Sequence, residues 1–152
     1  YGQTEQAAAL LQNGLSKIGV KSKIVYEPWS VASKKMRDEQ QMYDLLWLWR
    51  STYYADPNNW IGEMYACDQV GARNNSCYCD PEVDKLLMEA RVEPDQAKRA
   101  ANYKKAAKMV TDDAGGIFVY NTKWFGPYNK KVKGVRFSPI GNAQEMRWVH
   151  ME

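Results

Sequence analysis

An apolar run from Tyr43 to Trp49, followed closely by the pair Asp56-Pro57, most constrains how this chain can fold. A short apolar run bounded by turn residues is typical of a buried strand. Asp before Pro is typical of a helix start, with Asp56 as the N-cap and Pro57 in the first helical position. A strand that leads through a loop to a helix N-terminus is where open α/β sheets bind ligands. The sequence therefore predicts an α/β fold with a ligand site in this loop.

Helical and strand-like segments alternate along the rest of the chain, which is typical of an α/β architecture with crossover helices. Local signals mark the helix ends, such as Gly19 after the first helix and Ser30 before the second. The predicted helices are 3–18, 30–38, one that begins at Asp56, one that begins at Asp80-Pro81 and one from Asp95 to about Asp112. The predicted strands are 20–27, 43–49 and 117–120, followed by an irregular, strand-like region at 123–152. The residues expected to face inward are Ala8, Leu11, Leu15 and Ile18, then Val83, Leu86, Leu87 and Ala90, and then Ala100, Tyr103, Ala107 and Val110.

Composition and charge argue against several classes of partner. The 152 residues suffice for one domain with a core, and 21 basic against 18 acidic residues give no support for nucleic acid. No apolar run approaches the roughly 20 residues that a membrane helix needs. The chain opens on Tyr1 and runs at once into a helix, without a signal peptide. We therefore expect it to begin inside a domain of a longer protein.

The three cysteines favour a disulfide. Cys67 follows one predicted helix, and Cys77 and Cys79 precede the next. We prefer a Cys67–Cys79 bridge, with Cys67–Cys77 as the second pairing and a three-thiolate zinc site as the alternative. The Cys-x-Cys spacing does not match the usual zinc knuckle, and the single histidine, His150, lies far away in the sequence. A disulfide implies an oxidising compartment, the periplasm or the cell exterior.

Nothing in the sequence argues for catalysis. His150 stands alone near the end of the chain, and no glycine-rich phosphate loop follows any predicted strand. Asp112 and Asp113 lie at a helix C-terminus, where carboxylates are poorly placed and are expected only to be exposed. We predict neither an enzyme nor a cofactor or metal site.

Several segments follow one another in an order that identifies a family. They are 15–20 running into a strand, the 43–46 strand that ends in tryptophan, 56–59, 79–87, the helix of Asp95 with Lys98 and Arg99, and 132–135. In this order and spacing the chain resembles the C-terminal part of a family 5 extracellular solute-binding protein. That family is the dipeptide-, oligopeptide- and nickel-binding class of ABC importers. The resemblance covers nearly the whole chain.

The resemblance implies a type II periplasmic-binding-protein fold, in which two lobes close on a ligand. Residues 1–122 would form most of the C-terminal ligand-binding lobe. Residues 123–152 would hold the hinge crossing and a tail packed on the N-terminal lobe, which is absent from this chain. The implied partners are a small-molecule or peptide ligand, a membrane permease of the ABC type and the protein's own N-terminal lobe. The implied location is periplasmic or extracellular, with or without a lipid anchor.

The loop after Trp49 would face the ligand. In peptide receptors of this family, an aspartate about three residues before the Asp-Pro pair binds the α-amino group of the ligand. Here Thr52, Tyr53 and Tyr54 stand in that neighbourhood, and no carboxylate occurs between Trp49 and Asp56. A buried ammonium without a counter-charge is costly, so another residue supplies the charge or the ligand is not a peptide amine. The candidate ligand-binding residues are Trp49, Arg50, Ser51, Thr52, Tyr53, Tyr54 and Asp56.

For Trp49, Tyr53 and Tyr54, ligand contact and plain packing both stay open, whereas the N-cap role is favoured for Asp56. Arg50 is suited to holding a carboxylate or phosphate. The leading hypothesis is a solute receptor that works by lobe closure, with a peptide or a non-peptide solute such as an oligosaccharide or opine as ligand. A catalytic domain or an effector-sensing domain of a regulator on the same fold is the alternative.

Overall fold

The computed structural model describes residues 2–38, 40–50, 53–121, 123, 125–138 and 144–152. Contacts divide the chain into two compact units, Tyr1–Trp49 and Arg50–Glu152. Among the described residues, no helix has both the length and the apolar character needed to cross a membrane.

The first unit contains the helices α1 (Gly2–Lys17) and α2 (Trp29–Lys35). The predicted C-terminal cap of α1 is confirmed, because Gly19 has φ +83°. Its N–H donates to the Ser16 carbonyl at 3.1 Å, and the Val20 N–H donates to the Leu15 carbonyl at 3.0 Å. These two bonds form a complete Schellman motif, which needs a residue in the left-handed region. The predicted cap of α2 is wrong: Pro28 occupies the N-cap position and no side chain caps the helix.

The apolar face predicted for α1 is not buried in this unit. No residue of α1 is buried, and Ile18, just beyond it, is 74% exposed. The strands predicted at 20–27 and 43–49 are also wrong for the described residues, since neither segment pairs with a strand. A strand forms only where a neighbour completes its backbone hydrogen bonds, and no described segment does so here. Both segments are instead tied by Glu27, which pairs with Lys35 Nζ at 2.5 Å and accepts a hydrogen bond from the Tyr43 hydroxyl.

The second unit is built on two helices that pack against each other, α4 (Pro81–Val92) and α5 (Gln96–Asp112). Ahead of them, a π-helical turn (Asn58–Gly62) runs directly into the short helix α3 (Glu63–Tyr65). The predicted caps of α4 and α5 are confirmed. Asp80 accepts the N–H groups of the second and third residues of α4, and Asp95 does the same for α5. These bonds satisfy donors that a helix leaves without partners.

The core of this unit lies between α4, α5 and α3. Its buried residues are Tyr65, Ala66, Val83, Leu87, Ala90, Tyr103, Ala106 and Val110. The inward face predicted for α4 is confirmed, with Leu86 partly buried beside it. The face predicted for α5 is wrong at Ala100, which is exposed, while Ala107 is only partly buried. Ala106 takes the inward place because it lies between Tyr103 and Val110 on one helical stripe.

The C-terminal region forms two short antiparallel ladders. Strand β1 (Val132–Lys133) pairs with β4 (His150–Met151), and β2 (Arg136–Phe137) pairs with β3 (Gln144–Glu145). Gly134 joins β1 to β2 with φ +73°, and a Cβ there would lie 1.9 Å from the Trp148 carbonyl oxygen. The predicted strand 117–120 is wrong within the described residues: it pairs with no described strand, and its four apolar residues are 50–68% exposed.

Candidate functional site

The predicted ligand loop falls at the division between the two units. Trp49 is the last residue of the first unit and Arg50 the first of the second. Trp49 is 47% exposed, and its Nε1 donates to Thr4 Oγ1 at 3.3 Å. It also lines an open surface depression of about 580 Å³ together with residues at the start of α1. The predicted site residues Ser51 and Thr52 lie outside the described residues.

Arg50 is half-buried, and neutral oxygens hold it. Its Nη2 donates to the backbone carbonyl of Arg73 at 3.1 Å and to the side-chain oxygen of Asn75. The pKa of Arg50 is lowered by burial and, second, by the positive charge of Arg73. The guanidinium nevertheless stays charged at any physiological pH. The contacts therefore fix one edge of this side chain without neutralising it.

Tyr53 presents an aromatic face at the surface. Its ring is 67% exposed and lies over the guanidinium of Arg73, with 4.5 Å between the guanidinium carbon and the ring centroid. Its backbone N–H donates to Asn59 Oδ1 at 2.9 Å. Asn59 is fully buried, so it fixes the backbone of the loop from beneath. The ring is thus held in place while one face remains available for contact.

Glu63 is the residue that organises this loop. The Tyr54 hydroxyl donates to its Oε1 at 2.6 Å, and Asn59 Nδ2 donates to its Oε2 at 3.1 Å. Arg73 Nε lies 2.8 Å from the same Oε2, and the two side chains are only 19–22% exposed. The contact between Arg73 Nε and Glu63 Oε2 is an ion pair without the geometry of a hydrogen bond. Arg73 Nη2 is also buried, and it has no hydrogen-bond partner among the described residues.

Sequence reasoning missed Glu63, Asn59 and Arg73. The spacing of Asn59 and Glu63, four residues apart on one helical turn, was the available signal for the first two. Arg73 lies in a loop, and nothing in its sequence neighbourhood indicates that it folds back over Tyr53.

Burial raises the pKa of Tyr54, and its hydrogen bond to Glu63 adds to the rise.

Asp56 lies one residue before Pro57, which occupies the N-cap position of the π-helical turn. Its Oδ1 accepts the Asn58 N–H at 2.8 Å, two residues ahead, as an N-cap does. The same oxygen accepts from Arg99 Nη2 at 2.7 Å, and this bond is the main reason that the pKa of Asp56 is lowered. Arg99 Nε in turn donates to the carbonyl of Ala90 at 3.1 Å. The carboxylate therefore ties the loop to the α4–α5 pair.

The preferred disulfide is confirmed. Cys67 and Cys79 are bonded, with their Cα atoms 4.8 Å apart, and Cys77 is not part of the bridge. The zinc alternative is wrong, because two of its three sulfurs form this bond. Inside the closed loop, buried Asn74 donates to the carbonyls of Ala66 at 3.1 Å and Tyr78 at 2.7 Å. The bridge and Asn74 together hold the segment that carries Arg73.

Comparison with known proteins gives a consistent group of relatives, although no family model matches the chain. Di/tripeptide-binding protein 1 of Pseudomonas aeruginosa is 34% identical over 134 residues, which is 88% of this chain and 25% of that protein. The probable D,D-dipeptide-binding periplasmic protein DdpA of Escherichia coli is 33% identical over 139 residues, 90% of this chain and 26% of that protein. The chain thus spans about a quarter of the length of these curated relatives.

Solved structures show the same fold. HbpA2 from Haemophilus parasuis aligns with a TM-score of 0.73 and 23% identity, over 97% of this chain and 28% of that one. A dipeptide-binding protein from Pseudoalteromonas sp. SM9913, solved in complex with Met-Leu, aligns with a TM-score of 0.70 and 22% identity, over 97% and 29%. At this level of identity the likeness concerns the fold.

Proposed function

Because this chain belongs to the family 5 extracellular solute-binding proteins, we propose that the complete protein is the solute receptor of an ABC importer. The fold class predicted from the sequence, α/β of the type II periplasmic-binding-protein kind, is that of the solved relatives. In this proposal the described chain supplies most of the C-terminal lobe, and the N-terminal lobe supplies the opposite wall of the ligand cleft. Residues 123–152 form the hinge crossing and the tail.

The contacts that hold Tyr53 and Arg50 support a ligand site at this loop. The exposed ring of Tyr53 and the half-buried guanidinium of Arg50 are held by a layer of polar residues beneath them. A surface loop stabilised in this way, with aromatic and charged groups outward, is suited to binding rather than to packing alone. We assign the ligand contacts to Trp49, Arg50, Ser51, Thr52, Tyr53 and Tyr54. Asp56 acts in this assignment as the structural cap of the loop.

The receptor works by lobe closure and not by chemistry. A ligand that contacts both lobes favours the closed form, which the membrane permease then recognises. The relatives are named as binding proteins, and one of them as periplasmic. We therefore propose a periplasmic or extracellular location, where the Cys67–Cys79 disulfide is stable.

A peptide is the leading ligand, and a non-peptide solute is the second candidate. The second candidate is favoured by one feature of the loop: the two described carboxylates nearest to it, Asp56 and Glu63, already pair with Arg99 and Arg73. Neither is left to bind an α-ammonium group. The α-ammonium group of a peptide ligand must therefore pair with a carboxylate of the N-terminal lobe, or a different group of the peptide must contact this loop.

Calorimetric titration of the complete protein with dipeptides and with oligosaccharides tests the proposal. We expect saturable dipeptide binding that Tyr53→Ala weakens, because the ring forms part of the cleft wall. Tyr26→Ala is the matched control, since Tyr26 is similarly exposed, at 62%, but lies outside the loop. Binding of oligosaccharides alone would favour the second candidate. Absence of binding to every solute, or equal effects of the two substitutions, would contradict the proposed site.

A further inference from the structure

The loop carries more positive charge than its carboxylates neutralise. Arg50 Nη2 donates to the backbone carbonyl of Arg73 at 3.1 Å, and the positive charge of Arg73 contributes, after burial, to the lowered pKa of Arg50. Glu63 pairs with Arg73. No described carboxylate forms an ion pair with Arg50. A half-buried cation without a counter-ion is unfavourable in a folded protein.

The same cluster has more hydrogen-bond donors than acceptors. Among the described residues, Arg50 donates only through Nη2, to two neutral oxygens, so its Nε and Nη1 donors are not used. Arg73 Nη2 is buried and likewise donates to no described residue. Arginine has no acceptor of its own, so the cluster can be completed only by oxygen atoms from elsewhere. An anionic, acceptor-only group bound at Arg50 satisfies the charge and the remaining donors of that side chain together.

We propose that this loop recognises a carboxylate on the ligand, in addition to the C-terminal carboxylate that every peptide has. The inference rests on the proposed receptor function and specifies the ligand class of that same site. Arg50 makes the direct contact through its unused donors, with charge-assisted hydrogen bonds. Arg73 holds Tyr53, whose exposed ring packs against the apolar part of the ligand.

The preferred peptide therefore carries an acidic side chain at the end that meets this loop. An ammonium group in the same place would be repelled by the guanidinium of Arg50, which no described carboxylate compensates. Glu63 does not neutralise the positive charge of Arg50 in addition to that of Arg73. Its two oxygens are already engaged by Tyr54, Asn59 and Arg73, so it compensates one cation and not both.

The test is a calorimetric titration of the complete protein with four probes. Glu-Ala and Gln-Ala have nearly the same shape and differ by one charge. Gln-Ala amide lacks the C-terminal carboxylate, and glutarate is a carboxylate probe without a peptide bond. We expect Glu-Ala to bind roughly 10- to 100-fold more tightly than Gln-Ala, the range of one hydrogen bond to a charged group.

Three variants test whether Arg50 causes the preference for Glu-Ala over Gln-Ala. Arg50→Gln should abolish it, and Arg50→Lys should restore part of it, because lysine keeps the charge but not the planar donors. Arg147→Gln is the matched control, since the side chain of Arg147 is 76% exposed and lies in the C-terminal tail. Thermal unfolding of each variant shows that it is folded, and only folded variants are compared.

The outcomes separate this inference from the function on which it rests. Equal affinities for Glu-Ala and Gln-Ala would overturn the inference and leave the receptor function standing. An Arg50-dependent loss of affinity in Gln-Ala amide would also overturn it, because Arg50 would then bind the ordinary C-terminus. Arg50-dependent glutarate binding without any dipeptide binding would support the carboxylate site and overturn the peptide assignment. Binding of no probe would overturn the inference, and the receptor function would then be decided by the titration with oligosaccharides.

Discussion

The Cys67–Cys79 disulfide should be a major source of stability for the second unit. The two cysteines are separated by 12 positions, and the bridge closes the segment that carries Arg73 and Asn74. For a closed loop of this length, chain entropy predicts a stabilisation of about 3 kcal/mol, because the unfolded chain loses conformational freedom. A double substitution, Cys67→Ala with Cys79→Ala, removes the bridge without leaving a reactive thiol at either end.

Urea unfolding followed by tryptophan fluorescence measures this effect. With a slope of about 2 kcal/mol per molar urea, a loss of about 3 kcal/mol lowers the midpoint by about 1.5 M. Reduction of the unsubstituted protein by dithiothreitol should lower the midpoint by a similar amount. Cys77→Ser is the control, and it should leave the midpoint nearly unchanged, because serine keeps the size and hydrogen-bonding capacity of the cysteine. A loss below about 1 kcal/mol in the double variant, or a larger loss in Cys77→Ser, would refute the reasoning.

Three further substitutions test the packing, the loop anchor and the C-terminal turn, each by urea unfolding. Leu87→Ala should cost about 2–5 kcal/mol, because the fully buried side chain leaves a cavity between α4 and α5, and a loss below about 1 kcal/mol would contradict that core. Asp56→Asn should cost about 1 kcal/mol at pH 7 through the loss of the pair with Arg99. Since the folded pKa of Asp56 is lowered, its contribution is present above the unfolded pKa near 4 and is lost as pH falls through the folded value. The difference should therefore shrink at pH 3, and a constant difference would argue against the ion pair. Gly134→Ala should destabilise the turn between β1 and β2, because a Cβ there meets the Trp148 carbonyl oxygen. Gly14→Ala is the control: it lies in an open position of α1 and should stabilise the protein by about 0.5–1 kcal/mol. Equal effects of the two substitutions would contradict the described turn.

The helices were the predictable part of this fold, because their signals are local. Asp80, Asp95 and Gly19 satisfy donors or carbonyls within a few residues of themselves, so the sequence contains both partners of each bond. The error in the face of α5 has a simple origin. Ala100, Ala106 and Ala107 are the same residue type, so the hydrophobic pattern of the sequence does not distinguish them. Packing against α4 decides that Ala106 is the one that faces the core.

The strands were not predictable in the same way. Residues 20–27, 43–49 and 117–120 have strand-like composition, but strand formation depends on a partner elsewhere in the chain. No described segment provides that partner, and the four apolar side chains of 117–120 stay exposed. Pairing of this kind is non-local, so composition alone predicts the tendency and not the outcome.

The location of the candidate site stays a prediction, and the contacts that support its loop were not evident in the sequence. The aromatic loop and Arg50 are evident in the sequence, and the absence of a carboxylate between Trp49 and Asp56 is evident as well. What the sequence did not reveal is that Glu63, nine residues after Tyr54, and Arg73, further along the chain, hold Tyr53 and Tyr54 in place. Contacts of that kind depend on how the disulfide-closed segment folds back.

The most direct test of the proposed receptor is a crystal structure of the complete protein with its bound ligand. We expect a guanidinium nitrogen of Arg50 to lie within about 3.2 Å of a ligand oxygen. We also expect the Tyr53 ring to lie within about 4.5 Å of ligand carbon atoms. A ligand bound with no atom near residues 49–54, or with its ammonium group against Arg50, would contradict the proposed site.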